Sequence, residues 1–138
     1  MQTGVVSPEP VLASVPLGLL VAAFLLVNEM PEHETDPRGG KRTIPARIGL
    51  ERSVRLYGAM VFAALLLLVV FAVAQLVPWA SLLGLIAIVP LSTARSVLRA
   101  HFREYPAHIR ANAATIQAVL LLGAGMTAGY LLAGVPSL

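Results

Sequence analysis

The segment from Asn28 to Gly49, NEMPEHETDPRGGKRTIPARIG, gathers groups able to do chemistry at the edge of an otherwise apolar chain. Glu29, Glu32 and Asp36 are spaced three and four apart, so on a helical turn their carboxylates would line one face. Carboxylates crowded in that way repel one another unless a cation sits among them. Just downstream, Gly39 and Gly40 loosen the backbone, and Lys41 and Arg42 supply positive groups suited to phosphate oxygens. Acids for a hard divalent metal, followed by bases for an anion, describe a metal-diphosphate site. Magnesium is the expected ion, because it takes oxygen ligands and binds through one or two carboxylates together with substrate phosphates; calcium and manganese stay open. The plain alternative is a mixed-charge loop beside a membrane span, its acids solvated and its bases serving only to set topology.

The elements that position this segment follow from composition. The chain has 138 residues, 57% hydrophobic and 12% charged, where a soluble domain carries about 25% charged residues. Such a balance belongs in lipid. The absence of cysteine excludes both a disulfide framework and a thiolate metal site. A net charge of +3 invites a nucleic-acid reading, but all ten Lys and Arg fall in two short stretches flanked by apolar runs, where membrane topology accounts for them. No nucleic-acid partner is expected. No Lys or Arg precedes Arg38, so the charged start of a secretory signal is missing.

Four spans are expected, giving an all-α polytopic membrane bundle in a single domain over 1–138. Val11 to Val27 is an uncharged run that rises about 26 Å as a helix, close to the roughly 30 Å of bilayer hydrocarbon. Pro16 and Gly18 inside it are tolerated where neighbouring helices repack the backbone. Pro31 and Pro37 break the acidic segment, so this first helix, about 11–29, ends or kinks near Met30 and a short turn carries Glu32 and Asp36, with Glu29 the least secure of the three. Leu56 to Ala94 carries no charge and is long enough for two spans, divided at Pro78 into about 56–77 and 79–94, with Trp79 at the interface and a kink at Pro90. A basic loop or interfacial helix at 95–110 leads to a last span at about 111–134, in which Gly125-x3-Gly129 has the small-x3-small spacing of close helix contacts.

Charge placement adds a topology. Six Lys and Arg lie in Arg38 to Arg55 and four in Arg95 to Arg110, and with four spans these two loops, about 30–55 and 95–110, share a side. The positive-inside rule makes that side cytoplasmic, so the acidic segment opens to the cytoplasm from an integral cell (inner) membrane protein whose termini lie outside.

The string Asn28-Glu29-x2-Glu32-x3-Asp36-x3-Gly40-Lys41-Arg42-Thr43, with Arg47-Ile48-Gly49 behind it, resembles the second acidic motif of the UbiA-type intramembrane prenyltransferases. The likeness is to the 1,4-dihydroxy-2-naphthoate polyprenyltransferase branch of menaquinone synthesis. It continues weakly through the apolar segments to the C-terminus. The resemblance implies transfer of a polyprenyl group from its diphosphate to an aromatic acceptor, with Glu32 and Asp36 on magnesium, Glu29 assisting, and Lys41, Arg42 and Arg47 on diphosphate. Asn28 would orient a ligand, or cap the first helix, where Asn is also common. The chain departs from the family pattern by carrying Glu at 29 and 32 where Asp is usual, which lengthens the reach by about 1.5 Å. Family members are about twice as long and carry an earlier Asn/Asp-rich motif that is not found here, so the expected equivalence is to the C-terminal half. The missing motif would come from an N-terminal half-protein or a second copy; the alternative is a non-catalytic fragment. His33 lies between the acids, where a lone loop histidine is more often exposed than a base; His101 and His108, seven apart in a basic loop, lack the carboxylate partners of a metal pair, and no Ser-His-Asp set, P-loop or HExxH occurs.

Overall fold

In the computed structural model, which describes residues 4, 8–32, 40 and 42–134, the chain forms helices and turns, and no strand occurs among the described residues. Helix α1 spans Pro8–Glu29. Pro8 and Pro10 stand in its first turn, where a missing N–H leaves no bond unmade. Pro16 is fully buried and does not end the helix. At its far end Pro31 denies the next turn its donor, and the chain tightens into a 3-10 turn, Met30–Glu32. The break falls where the sequence places it.

The stretch expected as loop from 30 to 55 contains a short helix, α2 (Ile44–Ile48), and the start of α3 (Leu50–Val73). Thr43 caps α2, its Oγ1 accepting from the Ala46 N–H at 3.4 Å, and Gly49 closes it at φ 84°, a left-handed conformation that suits glycine. Helix α3 thus begins at Leu50 rather than Leu56, because its first turns are polar yet well supported. Glu51 pairs with Arg55 at 2.5 Å one turn on, and Ser53 Oγ donates to Gly49 O at 2.8 Å. It ends at Val73 rather than Val77. There Leu76 N–H donates to Phe71 O and Gln75 N–H to Ala72 O, a Schellman closure with Gln75 at φ 60°.

The third span is not one α-helix. Trp79–Ala87 winds as a 3-10 segment and only then continues as α4 (Ile88–His101). Pro90, expected to kink the end of this span, stands instead in the first turn of α4, where its ring crowds the carbonyl four residues back and keeps the preceding turn out of α geometry. The tighter winding has two consequences. Eight steps at about 2.0 Å and eight at about 1.5 Å carry the chain roughly 28 Å from Trp79 to Arg95, against about 24 Å for an α-helix throughout, so a short apolar run still reaches across. Side chains three apart also stack, so Ser81, Gly84, Ala87 and Pro90, all buried, form one narrow ridge.

Helix α5 (Tyr105–Gly134) receives that ridge. A Cβ on Gly125 would fall onto the backbone of Leu83 and Gly84, and one on Gly129 onto the backbone of Ser81. The Gly-x3-Gly pair is therefore a packing face. Helix α1 packs on α3 and α5, and α4 on α5 and α3, so the four spans close a ring. Across it, Tyr57 on α3 meets Thr115 on α5 at 2.8 Å, both fully buried. Thr115 spends its own proton on Ala111 O at 2.6 Å, which makes Tyr57 the donor. Four helical stretches, Pro8–Glu32, Leu50–Val73, Trp79–His101 and Tyr105–Gly134, are long and apolar enough to cross a bilayer.

Candidate functional site

The last turn of α1 and the 3-10 turn after it build one end of the bundle. Val27 and Met30 are fully buried and pin the turn to the core. The residues between and after them then face outward. Asn28 is exposed, Glu29 half-buried and Glu32 exposed. Two carboxylates and an amide thus share a single turn at the end of a span. Helix α2 packs against α1, α3 and this 3-10 turn, so the strap that carries Arg42 and Arg47 returns to the same end. Both arginines are exposed. Asp36 and Lys41, like His33 and Gly39, lie outside the described residues.

Arg47 lines a cavity of about 560 Å³ together with Gly49, Glu51, Arg52, Phe102 and Arg103. Neither Glu29 nor Glu32 borders it. Arg47 therefore belongs to a basic hollow between the α2 to α3 corner and the Phe102–Glu104 turn, beside which the Arg103 guanidinium stacks over Phe102 at 5.2 Å. Among the described residues no group of three or more His, Asp or Glu draws together as a metal cluster.

Asn28 does not turn back to cap its helix. Its Oδ1 accepts from Nδ2 of Asn112 on α5 at 3.1 Å, and the Asn112 Oδ1 is buried without a hydrogen-bond partner. Asn112 is the residue that sequence reasoning missed. The available signal was a carboxamide near the start of an otherwise apolar span, where polar groups are costly. His108, also buried, bonds Phe102 O through Nε2 at 2.6 Å, which makes it a brace for the turn between α4 and α5. His101 and Glu104 meet at 3.1 Å on the surface.

Fold and site together define an integral membrane protein of four spanning helices, with acids and bases gathered at one end. The model of the UbiA prenyltransferase family matches residues 1–110, and the chain belongs to that family. It is 27% identical over 122 residues to the 1,4-dihydroxy-2-naphthoate octaprenyltransferase of Haemophilus influenzae, an alignment covering 88% of this chain and 39% of that protein. The chain thus spans well under half the length of the curated relative it matches. No solved structure matches it significantly.

Proposed function

We propose that the chain is the C-terminal half of a prenyl-transfer site, carrying a polyprenyl group from an allylic diphosphate to an aromatic acceptor. The observation that carries this reading is the turn at the end of α1, where Glu29 and Glu32 stand beside the α2 strap in a chain of this family. In the reaction the allylic carbon-oxygen bond breaks and its electron pair leaves on diphosphate. Ring electrons of the acceptor then close the new carbon-carbon bond, and the attacked ring carbon releases the proton or carboxylate it carried. Were the acceptor 1,4-dihydroxy-2-naphthoate, as in the relative's name, its carboxylate would leave as carbon dioxide, a step of menaquinone synthesis.

The donors present suit magnesium, since carboxylates and an amide oxygen are all hard ligands and magnesium needs only one or two from the protein. Glu32, Asp36 and Glu29 would hold it. When bound, the ion neutralises charge that builds on the departing diphosphate. Lys41 and Arg42 contact the diphosphate oxygens, Arg47 being left to the separate hollow beside Arg103, and Asn28, held by Asn112, orients the neighbouring carboxylate or its water. The apolar walls of the spans keep water from the allylic cation. The acids open to the cytoplasm of the cell (inner) membrane, because the basic loops lie at their end. An N-terminal half-protein, or a second copy of this chain, completes the clamp on the other side of the diphosphate.

The test is magnesium-dependent prenyl transfer by purified protein, alone and with an N-terminal half added. Asp36→Ala is expected to lower transfer by about 100-fold or more. Unchanged transfer would remove the acids from the site. Failure of the wild type even with the N-terminal half present would favour the second reading, a non-catalytic membrane fragment.

A further inference from the structure

A second hollow lies away from the acidic turn, on the α3 and α4 side of the ring. One cavity of about 390 Å³ is lined by Arg55, Gly58, Phe62, Arg95 and Arg99. A neighbouring one of about 380 Å³ shares Phe62, Arg95 and Arg99 and runs on past Leu65 and Leu91. Together they form one groove, charged at one end and apolar along the other. Each part is of ligand-pocket size, about 300–1000 Å³.

The charges are placed at a defined depth. From Val73 back to Arg55 an α-helix rises about 27 Å, and from Trp79 to Arg95 the third span covers roughly 28 Å. Both arginines therefore sit about one hydrocarbon thickness from the turn at 74–78, at the level where head groups begin. Arg55 is occupied by Glu51. Arg95 and Arg99 make no ion pair among the described residues, although both line the groove. The Arg95 guanidinium lies against α3 at Gly58, where a Cβ would be in ordinary van der Waals contact with its Nε at 3.6 Å.

We propose that this groove seats an anionic phospholipid, its phosphate between Arg95 and Arg99 and one acyl chain along Phe62, Leu65 and Leu91. Unpaired guanidinium groups at head-group depth match a phosphate in charge and in hydrogen-bond geometry. The apolar continuation matches the tail of the same molecule, which distinguishes a lipid from a free anion. The choice of leaflet rests on the cytoplasmic orientation proposed above, the cytoplasmic leaflet being the anionic one.

The test uses the full chain in a neutral detergent, with short-chain phosphatidylglycerol and phosphatidylcholine added separately and retention read by native mass spectrometry. Phosphatidylglycerol is expected to bind saturably and more weakly as salt rises, with phosphatidylcholine retained far less. Arg95→Gln with Arg99→Gln should weaken retention roughly 25-fold, about fivefold for each cation lost at an anionic surface. A photoactivatable phosphatidylglycerol on the wild type should label residues 54–65 and 88–99, a readout that does not depend on the variant folding. Equal retention of the two lipids would overturn the proposal, as would labelling elsewhere or a groove covered by a second copy. Displacement by inorganic diphosphate would also overturn it and assign the groove to the prenyl donor. Because no turnover is measured and no acid between 28 and 36 takes part, loss of the acidic-turn reading would leave these outcomes unchanged.

Discussion

Asn112 and Asn28 stand 84 residues apart and meet through one amide hydrogen bond at the end of the bundle that carries the acids. A contact of that separation has no local signature, which is why the sequence offered Asn28 as a cap or an orienting group and said nothing of Asn112. The end of the first span beside Pro31, which carries Glu29 and Glu32, was legible because its signals are local; Asp36 lies outside the described residues. Asn112→Ala should leave the helices intact and loosen the Asn28 side chain. The expected result is a 10- to 100-fold loss of magnesium affinity, the usual effect of removing a group that orients a ligand, measured by calorimetry on the folded variant. Tyr57 is a structural counterpart. Replacing it with Phe removes the donor to Thr115 while leaving the ring in place, and should cost about 0.5–1 kcal/mol in denaturant unfolding.

Among the elements, the 3-10 segment Trp79–Ala87 was the least legible, since an apolar run without polar punctuation gives a helix no period to declare. Its small residues at 81, 84 and 87 did carry a three-residue spacing, readable once the tight winding is known. The receiving face on α5 was legible as Gly125-x3-Gly129. Gly129→Leu should therefore destabilise the bundle by about 3 kcal/mol or more, because the side chain has only the Ser81 backbone to enter. Gly18→Ala, with open space around it, should be neutral or slightly stabilising in the same unfolding assay. The end of α3 offers a gain. Gln75 holds a left-handed conformation that costs a side-chain-bearing residue about 1 kcal/mol, so Gln75→Gly should raise stability by up to that amount.

For the whole molecule, hydropathy and charge placement were enough to give four spans, since a bilayer admits few other ways to bury so apolar a chain. The helix ends were less legible, because charged first turns such as Glu51 to Arg55 are helical in the structure while reading as loop. The absence of cysteine makes orientation directly testable. A single cysteine at Gln75 should be labelled by an impermeant reagent only from outside, and one at Arg103 only from the cytoplasm. The central claim is that the turn closing α1 gathers a divalent ion and, through it, a diphosphate. Calorimetric titration of the purified chain with diphosphate, with and without magnesium, tests it most directly. Magnesium-dependent binding that falls away in Glu32→Gln and Asp36→Asn is the predicted result; binding that ignores either magnesium or those two acids would contradict it.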